Sequence, residues 1–176
     1  SLSTPIDSFP TLAYSKNEVQ KLPGKVLIGE QATKDNFIQL ANRYGIIHLA
    51  THASANDRQP LQSFIAFYPP ANDTTENFKL FAREIYDLKL NATQLVILSA
   101  CETGAGQLIK GEGLMSLSRA FAYAGCPNII TSLWKAEDKT TAFITERFYY
   151  HRNNGEPNDI ALQYAKNDLL SSDDIE

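Results

Sequence analysis

The residues of this 176-residue chain best suited to nucleophilic or metal chemistry are three histidines, His48, His52 and His151, and two cysteines, Cys101 and Cys126. His48 and His52 are four apart, a spacing that on a helix would offer two ligands to one zinc ion. They fall instead in and just after Ile46-Ile-His-Leu-Ala-Thr51, a dense apolar run that reads as a strand buried on both faces. Along a strand four residues span about 13 Å, so one ion cannot take both imidazoles. No metal site is expected. His52 stands at the carboxyl end of that strand, opening a loop with Ser54, Asn56 and Asp57. Cys101 holds the equivalent place after Gln94-Leu-Val-Ile-Leu-Ser-Ala100 and before the turn formers of Glu102-Thr-Gly-Ala-Gly106. Taken singly, His52 reads as a hydrogen-bonded turn histidine and Cys101 as a small buried hydrophobe. At the ends of two neighbouring strands they make a Cys/His pair suited to nucleophilic catalysis, the thiol lying beside free backbone N–H groups. His151, amid Tyr149, Tyr150 and Arg152, reads as a cation near a helix C-terminus. Cys126, in Ala124-Gly-Cys-Pro127, reads as a packed turn residue.

The elements that must position these side chains follow from periodicity and turn chemistry. Residues 1–24 form an irregular lead-in, and residues 25–176 the domain. Lys25–Gly29 reads as a strand, and Thr33 as the cap of a helix burying Phe37, Leu40 and Ala41. After the His48 strand, Ser63–Tyr68 and Phe78–Phe81 are further strands and Ala82–Leu88 a short helix. Beyond Cys101, the apolar positions Leu114, Leu117, Phe121 and Ala124 recur at helical spacing, closed by Gly125. Asn128–Trp134 is another strand, Asp138 opens a helix through Tyr150, and Pro157 starts a last helix reaching about Leu170. Strands alternating with helices predict parallel βαβ units and a three-layer α/β domain. In such sheets the working residues gather at the carboxyl ends of the strands.

Composition narrows the function classes. With 43% apolar and 20% charged residues the chain matches an average globular protein, and its length predicts one domain. A net charge of −4 without basic runs argues against nucleic acid or an anionic membrane as partner. No apolar stretch approaches the ~20 residues needed to span a bilayer. Gly106 and Gly111 have phosphate-loop spacing, but Glu112-Gly113 follow where Lys-Ser/Thr is needed. No cofactor is expected. Two cysteines are too few for a disulfide framework, which points to free thiols in a reducing, cytoplasmic compartment. With Ser1 first and Met115 as the single methionine, the chain reads as a fragment or processed piece.

Several segments carry a resemblance. Ile47-His-Leu-Ala-Thr-His52, Val96-Ile-Leu-Ser-Ala-Cys-Glu-Thr-Gly104, Gly111-Glu-Gly-Leu114, Ser118-Arg-Ala-Phe-Ala-Tyr-Ala-Gly125 and Thr131-Ser-Leu-Trp134 with Asp138 and Thr141 resemble the successive motifs of the CHAT family. That family is a branch of the caspase-like cysteine peptidases, related to separase, and typically follows helical tetratricopeptide repeats in bacterial proteins. The resemblance spans residues 32–170. It implies a three-layer caspase-like sandwich with a mostly parallel sheet, truncated here at both ends, and a repeat region elsewhere in the full-length protein. It implies a protein or peptide substrate, His52 and Cys101 as catalytic dyad, and an oxyanion site from the backbone N–H groups of Cys101 and Ala53. Most relatives carry glycine at the position of Ala53, and a Cβ there restricts the backbone. The loop Ser132-Leu-Trp-Lys-Ala-Glu-Asp138 resembles a separase stretch that accompanies cleavage after arginine. Ser132, Trp134, Glu137 and Asp138 are thereby implied to line a pocket for a basic side chain, although Asp138 is equally placed to cap its helix. The competing reading is a caspase-like adaptor whose dyad is unused.

Overall fold

The computed structural model describes residues 19, 20, 22, 24–70, 76–102, 112–132 and 138–172, with backbone alone at 100–102, 112–114 and 138. The chain divides into two compact units, one holding the elements within Lys25–Lys135 and the other those within Ala136–Glu176.

Among the described residues the first unit contains five strands, β1 (Ile46–Ser54), β2 (Phe64–Ala66), β3 (Lys79–Phe81), β4 (Leu95–Glu102) and β5 (Ile129–Thr131), in the order β3-β2-β1-β4-β5. Its helices are α1 (Lys34–Leu40), α2 (Ala82–Ile85) and α3 (Glu112–Tyr123). The architecture is α/β, and the sheet is parallel where β1, β4 and β5 meet. The short link after β1 explains why β2 runs antiparallel to it, and β3 in turn runs antiparallel to β2. A parallel return needs a crossover of about a dozen residues or more, usually a helix. The short link from β1 to β2 holds only the single turn Pro60–Gln62, and no helix intervenes among the described residues between β2 and β3. The β4-to-β5 link carries α3 and allows the parallel crossover.

Alternation along the strands sorts the core. Ile47, Leu49 and Ala53 of β1, with Val96 and Leu98 of β4, join Phe37, Ala82, Ile85, Leu117, Ala120 and Phe121 from the three helices, and Ala41 from the turn after α1, in one hydrophobic cluster. The opposite sheet face carries Ile46, His48, Ala50 and His52 on β1, and Leu95, Ile97, Ser99 and Cys101 on β4. Leu95 through Leu98 are all buried, so β4 is covered on both faces, as its unbroken apolar run requires. β1 instead alternates buried and half-buried positions, which corrects the expectation of burial on both faces.

Local signals set the helix ends. The Asn36 N–H donates to Thr33 Oγ1 at 3.2 Å, the expected N-cap of α1. At the other end of the core, α3 closes with Gly125 at φ +111°. There the Cys126 N–H donates to the Phe121 carbonyl and the Gly125 N–H to that of Ala122, both at 3.1 Å. These two bonds are the Schellman pattern that a left-handed glycine permits. Lys25–Gly29, expected as a strand, joins no ladder, and its last residue opens a single turn at Gly29–Gln31. A β-branched run becomes a strand only where a neighbour pairs with it, and the described sheet has its edges at β3 and β5.

The second unit contains α4 (Asp138–Asn153) and α5 (Asn158–Leu170), which pack together. Thr145, Phe148 and Tyr149 of α4 and the alanines Ala161 and Ala165 of α5 are buried. Pro157 stands at the N-cap of α5 rather than at its first turn.

Candidate active site

β1 and β4 lie side by side and parallel, in register from Ile46 opposite Leu95 to Ala53 opposite Glu102. Within that ladder His52 stands opposite Cys101. Paired strands are about 4.8 Å apart, and residues on one rung share a face of the sheet. The two residues that the sequence marked at separate strand ends, 49 positions apart in the chain, therefore occupy one rung at the carboxyl end of the parallel core. Nδ1 of His52 is buried from solvent.

Ala53 is 1% exposed and stands between Ile65 of β2 and Glu102 of β4. Ser132 directly follows β5, one residue beyond Thr131, which is level with Leu98. Asp138 is the first residue of α4. Trp134 and Glu137 lie outside the described residues, as does the glycine-bearing stretch Gly104–Gly111.

His48 is displaced from His52 by two pleats, and its Nε2 is 3.1 Å from Ser99 Oγ, a hydrogen bond across the two central strands. Among the described residues no three His, Cys, Asp or Glu side chains come together as a metal would need. On the other side of β1, the Thr51 hydroxyl donates to the Ala66 carbonyl at 2.6 Å and ties β2 to the carboxyl half of the strand.

Cys126 is 1% exposed within the main core, and its Sγ–H donates to the Asn128 carbonyl at 3.2 Å. Burial pushes its thiol up, against the weaker pull of backbone hydrogen bonds from Asn128 and Val96. A thiol held protonated in an apolar setting packs and does not react, as its place in a helix-to-strand turn predicted.

One cluster escaped the sequence reading. His151 Nε2 is 2.7 Å from Asp168 Oδ2, an oxygen that also accepts from Arg147 Nε, so the last turns of α4 and α5 are joined. The hydrogen bond from His151, followed by that from Arg147, holds the Asp168 carboxyl below its usual range. The rings of Tyr150 and Tyr164 lie 5.2 Å and 5.3 Å from that of His151. The histidine's partner is an acid on the next helix, and no local spacing in the sequence marks it.

A parallel-cored α/β sheet with a histidine and a cysteine level at the strand ends defines a domain with the fold of the caspase-like cysteine peptidases. The family model described as CHAT domain matches residues 8–176, and this chain belongs to that family. Among curated proteins the chain is similar to Tetratricopeptide repeat protein 28 of Mus musculus, 25% identical over 159 residues that cover 73% of this chain and 6% of that protein. It is also similar to the Homo sapiens protein of the same name, 25% identical over 198 residues that cover 96% of this chain and 8% of that one. The chain thus spans less than a tenth of the length of these relatives, which are mammalian rather than bacterial. Among the described residues no helix is long and apolar enough to cross a membrane.

Proposed function

We propose that this domain is a cysteine endopeptidase working through Cys101 and His52. The observation that carries the reading is the shared rung: two neighbouring strands bring one thiol and one imidazole to the same level of the sheet. Nucleophilic acyl transfer needs no more than an activated thiol, a base within reach and donors for the oxyanion. His52 takes the Cys101 proton, and the thiolate attacks the peptide carbonyl carbon. The tetrahedral intermediate collapses as His52 passes that proton to the leaving amine, which leaves a thioester. Water then attacks the thioester, its proton going to His52 and on to the departing thiolate. The Cys101 N–H is the first oxyanion donor. The Ala53 N–H is the second, and because Ala53 has registered neighbours on both sides, its use requires the end of that ladder to open as substrate enters.

The substrate is a protein or peptide, and the resemblance of the loop ending at Asp138 to the separase stretch supports a preference for Arg or Lys before the scissile bond. The matching relatives are named for tetratricopeptide repeats. We accordingly place a helical repeat region elsewhere in the full-length protein as the partner through which the domain is presented to substrate. A thiol-directed electrophilic peptide tests the reading. Covalent labelling confined to Cys101 and lost in His52→Ala, with peptide turnover lost in both Cys101→Ala and His52→Ala, supports it. Equal labelling of Cys101 and Cys126 in a folded protein assigns the domain to a non-catalytic, adaptor role.

A further inference from the structure

A histidine that returns a proton to the leaving amine fixes which way a substrate lies on the sheet. His52 stands beside Cys101 on the neighbouring strand β1, so the amine released from the scissile bond lies on the β1 side of the thiol. In the order β3-β2-β1-β4-β5 the chain that follows the bond is therefore carried from β1 toward β2 and β3. Register shows what those strands present there. Ser54, the last residue of β1, stands opposite Phe64, and Phe64 stands opposite Phe81, so one rung at the carboxyl end of the parallel core runs across all three strands. Ile65 and Leu80 are 0% exposed in the main core. The alternate residues Phe64 and Phe81 thus take the other face, the one that carries the His52 and Cys101 rung. Both are half-buried, and their rings meet edge to face at 5.7 Å.

Arg83 stands just beyond this rung, two residues after Phe81, and is exposed. Its guanidinium carbon lies 4.1 Å from the centre of the Phe81 ring, and its Nη1 donates to Gln62 Oε1 at 2.6 Å. A ring on one side and a neutral amide at one nitrogen hold the planar group in place and leave further N–H donors for a ligand. The neighbouring charges are matched. The Lys79 ammonium is bound by Glu76 at 2.6 Å. Lys34 is bound by Glu84 Oε1 at 2.6 Å, and Glu84 Oε2 accepts from the Phe81 N–H at 2.9 Å. Arg83 acts on Glu84 through space but forms no ion pair among the described residues. A stacked, positioned guanidinium of this kind is complementary to a carboxylate. From β4 to β3 there are three strand spacings, about 14 Å, which roughly four extended residues cover. The reach of Arg83 therefore falls on the third to fifth residues after the scissile bond.

We propose that Arg83, stacked on Phe81 and held by Gln62, is a specificity-determining residue that selects an acidic side chain on the leaving side of the substrate. The inference rests on the endopeptidase reading of the Cys101/His52 dyad. Its test uses the full chain and a peptide library of mixed sequence, each new amino terminus being located by mass spectrometry, with Cys101→Ala as the blank. Asp and Glu are expected to be enriched about threefold to tenfold over Asn and Gln at the third to fifth residues after the cleaved bond. Added salt weakens the enrichment, because the pair is exposed. Arg83→Gln removes it, and Arg83→Glu exchanges it for an enrichment of Lys and Arg, a reversal of sign that a loss of stability cannot produce. Thermal unfolding confirms that both variants are folded. Cleavage that depends on Cys101 but shows no acidic enrichment, or the same enrichment in Arg83→Gln, overturns this inference alone. Absence of any Cys101-dependent cleavage overturns the endopeptidase reading and this inference together.

Discussion

The two cysteines of the chain stand at different places in the fold, and the difference gives predictions at the scale of single residues. Cys126 is 1% exposed in the main core, with burial raising its pKa, whereas Cys101 ends a strand of the parallel core. Cys126→Ser keeps a donor for the Asn128 carbonyl but puts a more polar atom in an apolar site. It is expected to cost about 1–2 kcal/mol of stability while leaving peptide turnover per folded molecule unchanged. Chemical denaturation and a turnover assay check the two halves, and loss of turnover in a folded Cys126→Ser protein contradicts the assignment. Cys101→Ala should show the reverse, abolishing turnover at a stability change within about 1–2 kcal/mol. For Asp138 the decisive substitution is to asparagine, which still caps a helix but cannot form a charge-assisted pair with a guanidinium. Peptide-library profiling of Asp138→Asn is expected to show the preference for Arg or Lys reduced about tenfold to a hundredfold. A preference that survives intact leaves Asp138 as a residue of the first turn of α4 with no part in specificity.

At the scale of elements, two helix ends carry testable weight. Gly125 has φ +111°, and a Cβ built there would meet Asn91 Oδ1 at 2.8 Å and the Asn91 backbone nitrogen at 3.5 Å. Gly125→Ala combines left-handed strain with this close approach and is expected to lower stability by about 1–3 kcal/mol. The α3 end is also where Leu90 N–H donates to the Ala124 carbonyl at 2.7 Å, so the loss spreads to the segment leading into β4. Thr33→Ala removes the α1 cap and should cost about 1 kcal/mol, with Thr33→Ser recovering most of it. Thermal unfolding of the three variants checks both, and a Gly125→Ala protein as stable as wild type rules out the steric account. The sequence signals for these ends, a threonine before a helix and a glycine after one, are local and were legible. The signal for a strand at Lys25–Gly29 was of the same local kind and misled, because a strand also needs a partner.

At the scale of the molecule, charge ties elements that are distant in sequence. Lys34 on α1 donates to Glu84 on α2 at 2.6 Å and to the Lys79 carbonyl of β3 at 3.0 Å, while Glu84 also accepts from the Phe81 N–H at 2.9 Å. Burial pushes the Glu84 carboxyl up, but the Lys34 ammonium, the Phe81 N–H and the Arg83 charge outweigh it and hold the group below its ordinary range. A carboxyl whose folded pKa is depressed stabilises the fold fully above its unfolded pKa of about 4.3 and loses that contribution as pH falls through the lower folded value. Between about pH 5 and pH 3, wild type should therefore lose more thermal stability than Glu84→Gln, and parallel melting-temperature profiles would contradict the assignment. The amino-acid sequence by itself determined the α/β alternation, the strands and helices that flank the site, the caps at Thr33 and Gly125, and His52 and Cys101 as the residues to watch. Each of these is encoded in side-chain period or turn chemistry over a few neighbouring positions. Only the tertiary structure decided that β2 and β3 run antiparallel, that His52 is level with Cys101, that His48 binds Ser99, and that Asp168 takes His151 and Arg147. Those outcomes depend on register between strands and on packing between helices: His48 and Ser99 are 51 residues apart in the chain, and nothing in the local pattern of either fixes which partner the fold will bring to it.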